Sequence, residues 1–180
     1  MSHSTKMLPQ DFFCRSVTTL AEELLGKVLI YEQGGQRKQA IITETEAYGG
    51  IDDAASHAHK GKTPRNWPMY EQGGYSYVYL IYGMHHCFNI SAGDKGEGGA
   101  VLIRSVTTLP DEHVLTGPGR VGKFFGFTRA QSGYKMTEQK SYIWVEDWGY
   151  TLENVQQATR VGITKATDKM WRYLGTIARR

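Results

Sequence analysis

Two carboxylates and a cluster of tyrosines are the groups in this 180-residue chain best suited to chemistry. Glu44 and Glu46 stand in Glu44-Thr45-Glu46-Ala47-Tyr48, just after Ile41-Ile42. On a strand side chains repeat every two residues, so both carboxylates share a face with Tyr48. A carboxylate buried on that face would resist ionisation and could act as a general acid or base. The competing reading is a wet face with both groups solvated, the ordinary condition of glutamate. Eleven residues are tyrosine, and five of them (Tyr70, Tyr75, Tyr77, Tyr79 and Tyr82) fall within one short stretch. A tyrosine stripe suits a half-buried strand face. It equally suits a platform on which nucleobases stack. Tyr82 precedes Gly83 and has little core to enter, so it is either exposed or a wedge into a partner.

Arg104 interrupts Val101-Leu102-Ile103-Arg104-Ser105-Val106. A cation inside an apolar strand marks an edge position or a specific anionic partner. His57, His59, His85, His86 and Cys87 supply donors for zinc, but no Cys-x-x-Cys or His-Glu-x-x-His spacing organises them. Gly117-Pro118-Gly119-Arg120-Val121-Gly122-Lys123 offers main-chain N–H groups and two cations to a phosphate, yet lacks the Gly-Lys-Ser/Thr ending of a phosphate loop.

These residues need elements to hold them. Thr19-Leu20-Ala21-Glu22 reads as a capping box opening a helix over 19–25, with Gly26 as its stop. Residues 27–31 and 39–48 read as two strands around Gly34-Gly35. Strict alternation in the second places Ile42, Glu44, Glu46 and Tyr48 on one face and Ile41, Thr43, Thr45 and Ala47 on the other. Residues 51–70 read as loop with one helical turn. Strands over 75–81 and 85–91 form a hairpin with Tyr82-Gly83 at its tip. A strand over 100–106, a helix near 121–125 and a strand over 142–146 follow, then weak signals to the end. Short connections between consecutive strands imply antiparallel pairing. The fold class is therefore mixed α/β (α+β), with short helices flanking a mainly antiparallel sheet.

Hydrophobic residues make up 40% and charged residues 22%, a composition that excludes a disordered chain. No apolar run approaches the ~20 residues that span a bilayer. The polar start, Met1 to Lys6, has no secretory character, and two cysteines make no disulfide framework, so an intracellular protein with free thiols is expected. Net charge is +3, and residues 160–180 hold six Lys/Arg against Asp168. That basic end fits a phosphate-facing surface or simply a solvated one. The expected organisation is a flexible N-terminus over 1–7 and one domain over 8–180.

Several motifs stand together in order: Leu24-Leu25-Gly26-Lys27-Val28-Leu29, Glu44-Thr45-Glu46-Ala47-Tyr48, Thr63-Pro64-Arg65-Asn66, Tyr77-Val78-Tyr79-Leu80-Ile81-Tyr82-Gly83-Met84 with Asn89-Ile90, and Val101-Leu102-Ile103-Arg104. In this order and spacing the chain resembles the alkyladenine (3-methyladenine) DNA glycosylase family, densely from Leu24 to Arg104 and more thinly beyond Leu115. The resemblance implies a single domain on a curved sheet with a protruding hairpin, and no metal or cofactor. It implies an enzyme that flips alkylated or deaminated purines, of the 3-methyladenine and hypoxanthine type, out of double-stranded DNA and hydrolyses the N-glycosidic bond. By position, Glu46 matches the general base, Tyr48, His57 and Tyr79 the residues that sandwich the flipped base, and Tyr82 the side chain that fills the gap. Asn89 matches a residue at the base edge that disfavours guanine's amino group, and Arg104 one lining the pocket and the DNA path. Glu44 is then a supporting residue. His85-His86 depart from the aromatics of some relatives. No lysine falls on the catalytic motif, so a monofunctional enzyme leaving an abasic site is expected; a monomer is expected as well. A non-catalytic damaged-DNA-binding domain of the same fold is the alternative, and a zinc hydrolase built on the histidines is a third.

Overall fold

The computed structural model describes residues 7–178. Three α-helices, α1 (Gln10–Phe13), α2 (Val17–Glu23) and α3 (Pro118–Phe125), accompany nine strands. These are β1 (Val28–Gln33), β2 (Gln36–Tyr48), β3 (Ser76–Ile81), β4 (His85–Ala92), β5 (Gly99–Leu109), β6 (Val114–Thr116), β7 (Ile143–Glu146), β8 (Leu152–Ala158) and β9 (Arg172–Ile177). The strands form one sheet in the order β3-β4-β5-β2-β1-β7, with β6 on β5, β9 on β2 and β8 on β9, and every pair is antiparallel. The result is a single α+β domain on a curled, mainly antiparallel sheet. The expected flexible start over 1–7 falls outside the described residues except for Met7, which bridges Glu146.

β2 explains the curl. It is 13 residues long and keeps β5 along one edge. Its other edge changes partner, from β1 over Gln36–Ile41 to β9 over Glu44–Glu46. The switch coincides with an irregularity in the β2–β5 ladder: Ile42 faces Val106, Glu44 faces Ser105 and Thr45 faces Ile103, so Thr43 and Arg104 are each left without a ladder partner. Such bulges bend a strand and re-aim its side chains. The parity therefore resets, which corrects the simple alternation. Ile42 joins Ala40 and Ala47 in the main core under α2, and Thr45 donates to the Ala21 carbonyl there at 2.6 Å. Glu44, Glu46 and Tyr48 turn to the opposite face.

The main core gathers Leu20 of α2 and its C-cap Leu24 with Leu29, Phe88, Ile90, Val101, Ile103 and Phe125. A smaller cluster of Ala58, Met69, Tyr77 and Ala100, flanked by Tyr70 and Tyr79, lies on the other side of the strands. α2 starts two residues earlier than the capping box implied. The Ser16 hydroxyl accepts from the Thr19 N–H at 3.3 Å, making Ser16 the N-cap and placing Thr19 inside the helix. Residues 51–70 hold one 3₁₀ turn, Trp67–Tyr70. β8 is largely exposed and polar, so it has no apolar alternation to read.

Between β3 and β4 the hairpin pairs Ile81 with His85. Its tip is Tyr82-Gly83-Met84, with Tyr82 at φ +53° and Gly83 at φ +65°. Left-handed backbone suits glycine and costs a bulky residue, yet Tyr82 adopts it and stands 80% exposed. The Gly-rich stretch proves to be the start of α3. There Gly122 lies so close to β4 that a Cβ would meet the His86 carbonyl oxygen at 2.0 Å, and Gly119 rests on the His85 ring. At these two positions the glycines serve helix-on-hairpin contact. Among the described residues no helix is long and apolar enough to cross a membrane.

Candidate active site

β2 ends where β3, β4 and β5 open into a cavity of about 650 Å³. That volume suits a small molecule or a single base. β3 contributes Tyr77 and Tyr79, whose ring centres are 5.6 Å apart. His57, from the loop after β2, sets its ring 4.5 Å from that of Tyr79 at 67°, and its Nδ1 lies 2.8 Å from the Tyr77 hydroxyl. Tyr48 lines the same cavity from the end of β2. Burial pushes the Tyr77 phenol up to about 12 and raises Tyr48 and Tyr79 as well. All three are thus protonated donors at neutral pH. Burial, with help from Arg65, lowers the His57 pKa, so this ring is neutral there. With the His57 ring neutral, the slot presents electron-rich tyrosine faces, which attract a cationic base.

Glu46 lies beneath this slot, 0% exposed. Its Oε2 accepts from the Tyr48 hydroxyl at 2.7 Å and its Oε1 from the Val161 N–H at 2.8 Å. Arg104 Nε is 3.5 Å from the same Oε1. Tyr48, Val161 and Arg104 all line the cavity, so the carboxylate is reached through its partners. Two of its four lone-pair sites accept these N–H and O–H groups, which leaves capacity for a water. Glu44 is buried too. It accepts from Ser105 Oγ at 2.5 Å, Arg172 Nη1 at 3.0 Å and Arg104 Nε at 3.3 Å. The wet-face reading of the two glutamates is thereby corrected: β5, β9 and the loop at Val161 cover them. Arg104 is not an edge residue, because the bulge delivers its guanidinium to both carboxylates.

Asn89 on β4 is 3% exposed and lines the cavity. Its Nδ2 donates to the Tyr77 and Cys87 carbonyls at 3.1 and 3.3 Å, which orients the amide. Tyr82 stands at the cavity mouth. So Tyr48, His57, Tyr79, Tyr82, Asn89 and Arg104 come together around one opening, with Glu46 at its base. The histidines do not assemble. His57 meets Tyr77, His59 meets the Ile51 carbonyl at 2.6 Å, and His85 packs on α3. Among the described residues no three His, Cys, Asp or Glu side chains are grouped to hold a metal ion.

Sequence reasoning missed one wall of the site. Val161 to Lys165, in the loop between β8 and β9, lines the cavity, and beside it Arg160 pairs with Asp53. In the sequence Arg160 was one more basic residue in a basic tail.

A carboxylate without solvent contact, set under an aromatic slot with room for water, is equipment for general acid–base chemistry on a flat, stacking ligand. Comparison with known proteins refines that class. The family model described as methylpurine-DNA glycosylase matches residues 11–177. A protein of Rickettsia felis is 43% identical over 171 residues, covering 94% of this chain and 93% of its own length. One of Ehrlichia ruminantium is 39% identical over 171 residues, covering 93% and 88%. One of Myxococcus xanthus is 50% identical over 128 residues, covering 69% and 66%. All three bear 3-methyladenine DNA glycosylase in their names. The chain belongs to the methylpurine-DNA glycosylase family. It is a monofunctional DNA glycosylase, a hydrolase.

Proposed function

We propose that this glycosylase takes alkylated and deaminated purines, of the 3-methyladenine and hypoxanthine type, from double-stranded DNA by flipping the nucleotide into the cavity. Glu46 is the general base. It removes a proton from a water held in the cavity while the water oxygen bonds to the anomeric carbon. The carbon–nitrogen bond breaks, and its electron pair goes to the departing base. A ring-alkylated purine carries a positive charge that this pair neutralises, so one carboxylate suffices where glycosidases of sugars use two. Tyr48, His57 and Tyr79 hold the base, with about 0.5–2 kcal/mol from each contact between a cationic ring and a tyrosine face. Asn89 reads the base edge and Arg104 the wall beside Glu46. Tyr82 takes the place of the base in the stack, and flipping costs a few kcal/mol, least for a damaged base. The enzyme acts as a monomer inside the cell, where its DNA substrate is.

The observation that carries this reading is the carboxylate of Glu46, shut off from solvent and held by two residues of the aromatic cavity's wall. The experiment is single-turnover release of 3-methyladenine and of hypoxanthine from duplexes holding one lesion. Release by the parent and release slowed about 10²–10⁴-fold in Glu46→Gln, with DNA binding kept, supports it. Binding without release by the parent favours the alternative, a damaged-DNA-binding domain.

A further inference from the structure

We propose that Arg160 is a positioning residue for base release, acting with Asp53 as a clamp that sets both Tyr48 and the Val161 N–H against Glu46. The inference rests on the glycosylase reading above. Both partners are nearly out of water, with side chains 0% and 2% exposed. Arg160 donates through Nη1 to Asp53 Oδ2 at 2.6 Å and through Nη2 to Oδ1 at 2.9 Å, a two-pronged bond. Nη1 also reaches the Ala47 carbonyl at 3.0 Å, and Nη2 the Ala166 carbonyl at 3.3 Å. The guanidinium carbon lies 4.8 Å from the Tyr48 ring centre and 5.1 Å from that of Trp171. Among the described residues the one buried side-chain N or O atom lacking a hydrogen-bond partner is Nε of this arginine. The two ring faces meet its charge instead.

A buried ion pair is a poor stability device, since apolar groups of similar volume often do as well or better. What this pair joins is more informative. Asp53 belongs to the loop carrying His57, and it also accepts the Gly49 and Ala55 N–H groups at 2.9 and 3.2 Å. Ala47 is in β2, and Arg160 in the loop that closes the far wall. Burial alone would raise the Asp53 pKa; the bonds from Arg160, Gly49 and Ala55 outweigh it and lower it, so the pair is ionic at neutral pH. Arg160 adjoins Val161, whose N–H is on Glu46 Oε1, and braces Tyr48, whose hydroxyl is on Oε2. Both hydrogen bonds on the general base thus hang on one guanidinium. Arg160 is absent from the cavity lining, so it braces Tyr48 from behind and leaves the other face for the base.

The test uses the full chain. Arg160→Met keeps the stem and removes the charge. In single-turnover release from a 3-methyladenine duplex at varied enzyme concentration, the maximal rate falls about 100-fold, the cost of a small misplacement of reacting groups. The half-saturating concentration stays near the parent's. Arg160→Lys restores part of the rate, because it keeps a cation between the rings but loses the fork. Should the single variant fail to fold, Asp53→Asn/Arg160→Met removes both charges and keeps the parental melting temperature while the maximal rate stays low. A well-folded double variant with the parental maximal rate overturns the proposal. Hydrogen exchange at the Val161 amide gives a second readout: protected in the parent, exposed in the double variant. Unchanged protection also overturns the clamp, whether or not any base is released. Failure of the parent itself to release base condemns the glycosylase reading instead.

Discussion

The cavity has two walls of different construction. One is sheet: Tyr48, Tyr77, Tyr79, Asn89 and Arg104 project from β2, β3, β4 and β5, and ladders of main-chain hydrogen bonds fix their spacing. The other is loop: His57 and Val161 to Lys165 come from connections after β2 and between β8 and β9. Apart from Tyr48, which also rests on the Arg160 guanidinium, the sheet wall is held by these ladders. The loop wall is tied at depth by the Asp53–Arg160 pair. Strands can therefore supply the chemistry, while the loops set how tightly it is closed. Chemistry placed on a rigid element also tolerates a wider range of loop changes, which is where base preference can vary.

If the sheet wall carries the reaction, the largest effect is at its base. Glu46→Gln slows single-turnover release by about 10²–10⁴-fold, the usual contribution of a positioned base. Affinity for lesion-containing duplex is unchanged in the same titration. A parental rate would move the chemistry to the loop wall. Next is Glu44→Gln, which leaves Arg104 and Arg172 with weaker partners in a half-buried patch. Release slows about tenfold, in line with ~1.5–3 kcal/mol for hydrogen bonds to charged groups, and Arg172→Gln shows a smaller loss because Arg172 is farther from the cavity. Equal losses would mean Glu44 acts through β9 rather than through Arg104. Tyr82→Ala comes third. It weakens binding to a duplex with a flipped nucleotide about tenfold, since a base–aromatic stack is worth ~1–3 kcal/mol. Unchanged affinity would strip the hairpin tip of its role.

The smallest effect probes the loop wall through pH. The His57 pKa is held below the ordinary imidazole value, chiefly by burial and then by Arg65, so the ring is neutral at pH 7 and gains a proton only in more acid solution. Protonation then sets a cation beside a cationic purine. Release of 3-methyladenine should fall about two- to threefold more steeply below pH 6 in the parent than in His57→Gln. Superimposable profiles would remove His57 from contact with the base.

Much of the sheet wall was legible along the chain. Period-two spacing put Glu44, Glu46 and Tyr48 together and did the same for Tyr77 and Tyr79, and Gly83 marked the turn that exposes Tyr82. The alternation failed at Ile42 because a bulge is a feature of two paired strands, and neither strand announces it alone. Arg104 was ambiguous for the same reason: its partners lie across the ladder. The loop wall left almost no local trace. Asp53 and Arg160 are separated by more than a hundred residues, and nothing near either one names the other.

The order of residues on its own determined which groups could do chemistry, which of them share a strand face, and through its motifs a family resemblance. Only the folded chain decided that Glu46 is dry, that Arg104 serves two carboxylates, and that a buried arginine stands behind Tyr48. The reason is physical. Facing is a local property of the backbone, set by its repeat, whereas burial and charge pairing depend on what distant segments bring to the same place.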